Sequence, residues 1–91
     1  MNKEEVKFVS WIVRGSQRRE IFRVLENNMI PAQIYKEAVK YNPKITRNSV
    51  SDVLRVFKKK DIVRCINPEE AKGRLYCLTQ RGKELKKKFK M

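Results

Sequence analysis

Side chains that can contact nucleic acid bases are concentrated in one stretch of this sequence, between Lys44 and Asp61. They are Arg47, Asn48, Ser49, Ser51, Asp52 and Arg55. These donors and acceptors can contact base edges in a major groove, where a guanidinium pairs with guanine and an asparagine amide with adenine. An ordinary solvated helix surface would carry similar residues, so the stretch taken alone leaves both interpretations open.

A helix would have to position these side chains, and the apolar residues of the stretch predict one. Its buried face would consist of Ile45, Val50, Val53, Leu54 and Phe57, which recur at helical spacing. Thr46 is the expected N-cap, because its hydroxyl can accept a hydrogen bond from a free N–H group of the first turn. We place this helix over residues 46–60. It ends in the lysines Lys58–Lys60, which suit a helix C-terminus and could meet phosphates.

The charge of the chain favours a polyanionic partner. Its 91 residues include 23 Lys+Arg and 10 Asp+Glu, for a net charge of +13. Residues 44–60 hold six basic residues and one acid, residues 80–91 again hold six and one, and together they carry +10. Solubility would not require this clustering, so we expect the positive field to serve binding, as basic patches do on nucleic acid.

Several other classes of function lack support in the sequence. Two cysteines and no histidine argue against a zinc site within one chain. We find no histidine base, glycine-rich phosphate loop or carboxylate pair in an apolar setting, so we predict no enzyme and no cofactor. No small-molecule ligand can be inferred from the sequence. The N-terminus MNKEEVKF is charged, and no run approaches the roughly 18 apolar residues of a membrane span. We therefore expect a cytoplasmic protein that does not bind membranes.

Three segments precede the 46–60 helix. Residues 1–15 fit a short helix or an extended segment, and we expect Trp11 to anchor the core or a dimer interface more readily than to stack on a base. Ser16 is the expected N-cap of a helix over Gln17–Asn27, and Pro31 starts another over residues 31–41. In the first helix we expect four apolar residues to face the core, namely Ile21, Phe22, Val24 and Leu25, and five polar residues to face water, namely Arg18, Arg19, Glu20, Arg23 and Glu26. In the second helix we expect Ile34, Ala38 and Val39 to face the core. Its tyrosines, Tyr35 and Tyr41, should be partly buried.

The periodicity changes after the 46–60 helix. Residues 62–67 and 73–79 alternate, with a polar loop at residues 67–72 between them, so we predict a β-hairpin. A basic helix over residues 83–90 would follow, docked by Leu85 and Phe89. Cys65 and Cys77 would lie opposite each other if the numbers of paired residues sum to 142. The sequence does not decide whether these cysteines are two thiols or form a disulfide.

The order of these elements resembles the winged helix-turn-helix transcription regulators. The resemblance is carried by the helix that starts at Pro31, by the run TRNSVS from Thr46, and by YCLTQRG, Tyr76–Gly82, which is similar to the end of the second wing strand in that family. The opening Trp11–Leu25 resembles small archaeal members. The resemblance implies an α+β fold: a three-helix core, a two-stranded wing and a short C-terminal helix. All of this would form one domain, residues 1–91, with a packing or dimerisation segment at 1–15 and a basic helix at 80–91.

The resemblance also implies sequence-specific binding of double-stranded DNA by a transcription regulator, with the 46–60 helix in the major groove. The 67–74 wing would lie on the adjacent backbone or minor groove, although Glu69 and Glu70 would repel phosphate. The implied DNA-binding residues are Lys44, Thr46, Arg47, Asn48, Ser49, Ser51, Asp52, Arg55, Lys58, Lys59, Lys72 and Arg74. The alternative is an RNA- or ribosome-associated basic winged helix protein.

We further expect a homodimer, because one small module rarely binds DNA tightly alone. The candidate interfaces are the N-terminal segment with Trp11 and the C-terminal helix with Leu85 and Phe89. In the competing interpretation both segments simply cap the core of the monomer.

Overall fold

Helices followed by an antiparallel hairpin and a last helix make up the computed structural model, which describes residues 3–26 and 28–89. The elements are α1 (Lys3–Arg14), α2 (Ser16–Val24), α3 (Pro31–Ala38), α4 (Arg47–Lys59), β1 (Val63–Cys65), β2 (Tyr76–Leu78) and α5 (Gln80–Phe89). The predicted α+β class and element order are confirmed, and the arrangement is consistent with a winged helix. No helix within the described ranges has the length and apolar character needed to cross a membrane.

The N-terminal segment is helical, which decides between the two conformations that the sequence left open. Ile12 is fully buried, and Phe8 and Trp11 pack against the core. The Trp11 ring meets Phe57 of α4 edge to face, with 6.0 Å between the ring centroids. Trp11 therefore anchors α1 to the core of its own chain, which is one of the two roles predicted for it.

Helix α2 differs from the prediction at both ends. Its N-cap is Gly15, and Ser16, the predicted cap, is its first helical residue. The helix ends at Val24, because Leu25 turns to an extended conformation with a ψ of 124°. The predicted end at Asn27 lies outside the described residues. The early end frees Leu25 to enter the core, where it is fully buried.

Glu20 of α2 is buried, although we predicted it on the wet side of the helix. Only 5% of this residue is exposed. Its two carboxylate oxygens accept from Arg19 at 3.1 Å and from Arg23 at 2.5 Å. A buried carboxylate is tolerated when charged donors replace its water, and the two flanking arginines supply them.

Helix α3 is shorter than predicted and ends at Ala38. Ile34 and Ala38 are buried as expected, and Tyr35 is half-buried. The expectation for Tyr41 was wrong, because this residue is 57% exposed. It lies beyond the end of α3, so its ring is not on the buried side of that helix. The centroid of the Tyr41 ring lies 4.8 Å from the guanidinium carbon of Arg23.

The predicted buried face of α4 is confirmed. Val50, Leu54 and Phe57 are buried, Val53 packs against them, and Ile45 is buried just before the helix begins. Phe57 is also in edge-to-face contact with Phe22 of α2, at 5.9 Å. The helix that carries the candidate binding residues is therefore held by the centre of the core.

Helix α5 begins at Gln80. This is the start of the 80–91 basic helix in the predicted domain, and it lies three residues before the start at 83 that the sequence pattern predicted. Thr79 precedes it, and its hydroxyl accepts from the Gly82 N–H at 3.0 Å. Leu85 is buried, and Phe89 meets Phe22 edge to face at 5.0 Å. Both side chains are thus used inside the monomer, so this pair does not form a free dimer surface.

The hairpin strands are shorter than predicted, and their register separates the two cysteines. Cys65 pairs with Tyr76 and Arg64 pairs with Cys77, so paired residue numbers sum to 141 rather than 142. Neighbouring residues on a strand point to opposite faces of the sheet, so the two thiols lie on opposite sides. Both cysteines are free, and the disulfide alternative is wrong.

We therefore expect both cysteines to react with an alkylating reagent in the absence of reductant. Cys65 is half-buried and Cys77 is buried, so Cys65 should react first in the folded protein. Mass spectrometry at successive times, and again after unfolding, measures both steps. A fraction that resists alkylation even when unfolded would reveal a bridge and contradict the register.

Candidate nucleic-acid interface

Reciprocal hydrogen bonds between Thr46 and Ser49 close the N-terminus of α4. The Ser49 N–H donates to Thr46 Oγ1 at 3.0 Å, and the Thr46 N–H donates to Ser49 Oγ at 3.3 Å. Thr46 is therefore the N-cap, as predicted. Ser49, which we predicted to face DNA, completes this capping box. Contact of either hydroxyl with DNA stays a prediction.

The Thr46→Ala variant should lose about 1 kcal/mol of folding stability, because an N–H group of the first turn loses its acceptor. Urea unfolding of both proteins measures the difference. Ser51→Ala is the matched control, since Ser51 is an exposed hydroxyl on the same helix. The free energy of unfolding of this control should stay within about 0.5 kcal/mol of that of the parent protein. Equal losses in both variants would show that the cap contributes nothing of its own.

Four polar side chains form an exposed row along the outer side of α4. They are Asn48, Asp52, Arg55 and Lys59. Their spacing of three or four residues places them on one side of a helix. Asn48, Asp52 and Arg55 belong to the predicted exposed face, and Lys59 extends it toward the C-terminus. The Arg55 guanidinium lies 3.2 Å from the Asp52 carboxylate. An exposed pair of this kind adds little stability, but it holds the guanidinium along the helix, where it can meet a ligand.

A groove of about 480 Å³ separates α4 from the hairpin. Ser51, Arg55 and Lys58 line it from the helix, and Arg74 and Tyr76 line it from the hairpin. None of the described residues that line this groove is acidic. Three cationic side chains from two separate elements therefore surround one concave surface, which makes it a candidate site for an anionic chain.

The loop between β1 and β2 is organised by Asn67, a residue that the sequence analysis treated only as a turn signal. Its Oδ1 accepts from the Leu75 N–H at 2.7 Å, and its Nδ2 donates to the Gly73 carbonyl at 3.1 Å. Gly73 has a φ of +68°, which glycine adopts without strain. Arg74 Nε donates to the Glu70 carbonyl at 2.7 Å. The loop is thus closed by its own polar groups, and asparagine's tendency to bond nearby backbone was the available signal.

Some predicted site residues lie away from the groove. Lys44 and Lys72 are exposed, and neither lines it. The Arg47 guanidinium lies 5.5 Å from the Tyr35 ring centroid, beside a smaller groove at the start of α3. The structure thus brings Ser51, Arg55, Lys58 and Arg74 together at the groove, and it leaves Lys44, Arg47 and Lys72 outside the groove lining.

Tyr76 belongs to the groove, but the sequence analysis did not include it among the site residues. Its backbone pairs with Met29, with N···O distances of 2.9 Å and 2.8 Å in the two directions. This single bridge ties the segment before α3 to the hairpin. An isolated bridge has no periodicity, so the sequence held no signal for it.

The basic C-terminal helix is used partly for packing. The half-buried Lys86 donates to the Leu25 carbonyl beyond the end of α2, and burial lowers the pKa of its ammonium. Lys88 pairs with Glu5 of α1, and this hydrogen bond lowers the pKa of that carboxyl group. Lys83 and Lys87 remain exposed. Part of the charge clustered at residues 80–91 therefore holds helices together.

Comparison with known proteins adds no homologue to this picture. No protein-family model matches the chain, and neither a curated protein nor a solved structure matches it. Its function therefore has to be inferred from the polar row on α4 and the cationic groove beside it.

Proposed function

We propose that this protein is a winged helix transcription regulator that binds double-stranded DNA at specific sequences. The observation that carries the proposal is the polar row of α4, which lies beside a groove lined by cations from both helix and hairpin. A helix can enter the major groove, where side chains reach base edges, while flanking cations neutralise phosphates.

The polar row and the groove would have different roles. Asn48 and Arg55 supply the amide and guanidinium for base contacts, and Arg47 lies one residue ahead of this row. Phosphates would meet Lys44, Lys58, Lys59, Lys72 and Arg74. If about six phosphates are engaged per chain, the log–log slope of affinity against salt is about −5. The exposed Glu69 and Glu70 in the hairpin loop favour contact along the groove side of the wing.

The proposed regulator acts as a homodimer on two half-sites. Leu85 and Phe89 are used in the monomer core, which leaves α1 as the candidate interface. Val6 and Val13 of α1 are 52% and 40% exposed, and their spacing of seven residues places them on one side of the helix. Two-fold symmetry of the protein would be mirrored in the bound DNA sequence.

Selection from random duplex DNA at physiological salt, with an A-form RNA duplex as competitor, tests the proposal. Enrichment of a short two-fold motif supports a dimeric sequence-specific regulator. Retention of DNA without a motif would instead indicate a non-specific binder. Displacement by the RNA duplex would favour the alternative, an RNA- or ribosome-associated protein.

The Arg47→Ala variant distinguishes base contact from phosphate contact. If Arg47 contacts a base through two hydrogen bonds, its loss should cost about 1–3 kcal/mol at the selected site and less on random DNA. Fluorescence anisotropy on both duplexes measures the difference. Lys87→Ala removes the same charge from an exposed position on α5 and serves as control. An equal loss of affinity on both duplexes would show that Arg47 contacts only phosphate.

A further inference from the structure

A second candidate ligand site lies at the C-terminal end of α4, apart from the groove beside the hairpin. It is a pocket of about 160 Å³ lined by Lys7, Phe8 and Trp11 of α1 and by Lys60, the residue that follows α4. The Phe8 and Trp11 rings meet edge to face, with 6.1 Å between their centroids and an angle of 80°. Two aromatic rings and two ammonium groups thus share one small concave surface.

The two lysines of this pocket are available to a ligand. Both are exposed, and within the described residues neither makes an ion pair. Lys60 Nζ lies 5.1 Å from the Phe8 ring centroid and 5.3 Å from that of Trp11. A cation beside a ring can serve packing alone. Here, however, the ammonium group also sits at the rim of a pocket, where it can meet an anion.

The aromatic walls are held in place before any ligand arrives. Trp11 contacts Phe57 at its inner side, and its backbone carbonyl accepts two hydrogen bonds from Arg18, at 3.0 Å and 2.6 Å. The Arg18 guanidinium also lies 4.3 Å from the Trp11 ring centroid. Binding would therefore need little ordering of the ring, and ordering is one of the main costs of association.

We propose that this pocket binds an unpaired nucleotide of single-stranded nucleic acid. The base packs against Phe8 and Trp11, and the adjoining phosphates accept hydrogen bonds from Lys7 and Lys60. Stacking platforms flanked by cations are how proteins hold single strands without reading their sequence. In a duplex the bases are stacked inside and cannot reach the rings, so the pocket selects unpaired strands.

The charge of the chain also argues for this occupant. A nucleic acid strand brings one negative charge per nucleotide to Lys7 and Lys60, and it complements the net charge of +13 on the chain. The pocket shares no lining residue with the groove beside the hairpin, and Lys60 lies twelve residues beyond Asn48, about 18 Å along a helix, although it directly follows Lys59 at the end of the α4 row. The inference therefore does not depend on the proposed duplex binding.

The single tryptophan of the chain makes the pocket directly observable. Titration of the full protein with an oligothymidylate of about eight nucleotides should change Trp11 emission in a saturable way. An abasic oligomer of the same length keeps the phosphates but lacks the bases. It should bind about tenfold more weakly and leave the emission nearly unchanged. No emission change with either oligomer, or equal changes with both, would overturn the proposal.

Two lysines provide a matched comparison. Lys60→Gln should weaken binding of the oligothymidylate about fivefold, whereas Lys87→Gln, which removes the same charge from an exposed position outside the pocket, should weaken it less than about twofold. Equal losses of affinity in the two variants would show that the oligothymidylate is held by general electrostatic attraction. That result would reject the pocket as its binding site. Phe8→Leu removes one ring while keeping an apolar side chain and Trp11, and should weaken binding about tenfold.

Arg55→Ala separates this site from the proposed duplex interface. It should leave the Trp11 response to the oligothymidylate unchanged while weakening duplex binding. If the selected duplex binds and the oligothymidylate does not, only the single-strand proposal fails. If the oligothymidylate binds and no duplex motif is enriched, only the regulator proposal fails.

Discussion

Replacing Arg55, Lys58 and Arg74 together with alanine is expected to weaken duplex DNA binding about 100-fold at physiological salt. The three cations line one groove from two elements, and no described lining residue is acidic. Each phosphate contact contributes about 0.9 to the log–log salt slope, so the loss of Lys58 and Arg74, the two residues assigned to phosphates, should make the slope shallower by about 1.8. Anisotropy titrations at several salt concentrations measure affinity and slope together.

The matched control for this variant removes three positive charges elsewhere. Lys36, Lys83 and Lys87 are exposed and lie on α3 and α5, outside the groove. Their combined alanine variant has the same net charge as the groove variant and should keep nearly the full salt slope. If both variants lose affinity equally, the attraction comes from the total charge of the chain, and the groove has no special role.

The Gly82→Ala variant is expected to lose about 3 kcal/mol of folding stability. A Cβ atom at Gly82 would lie 2.2 Å from the Ile62 carbonyl oxygen and 3.1 Å from Leu78 Cδ2. The oxygen belongs to backbone, so α5 or the start of the hairpin would have to move. This cost outweighs the gain of about 1 kcal/mol that alanine brings to a helix interior.

Urea unfolding of Gly82→Ala tests how closely α5 packs on the hairpin. Gly73→Ala is the control, because a Cβ there meets nothing within 4 Å although φ is +68°. Its cost should be about 1 kcal/mol, from backbone strain alone. A Gly82→Ala protein as stable as its parent would contradict the close contact. Since a domain of this size has a total stability on the order of 5–10 kcal/mol, the expected loss is easily measured.

The sequence by itself determined the helix that carries the polar row. Val50, Leu54 and Phe57 recur at the helical period, and Thr46 can cap only a helix that begins directly after it. These are local relations within a few residues, so they are visible in a linear chain. The exposed row with Asn48 follows from the same period, because it is the opposite side of the helix.

Two features of the fold depend on contacts between segments that are distant in the chain, and only the tertiary structure determines them. The register that separates Cys65 from Cys77 depends on how two strands pair, and the alternation within either strand fits both registers equally. The helical form of α1 depends on where Trp11 packs against Phe57, because its apolar residues fit both periods.

The candidate binding surfaces also depend on the tertiary structure. The cationic groove joins Arg55 to Arg74, nineteen positions further along the chain, and the aromatic pocket joins Trp11 to Lys60. Charge clustering in the sequence indicated that a polyanion would be bound. Burial and packing determine which cations remain exposed to such a partner and which, like Lys86, hold helices together. Burial and packing depend on the whole fold, so the sequence pattern did not show this division.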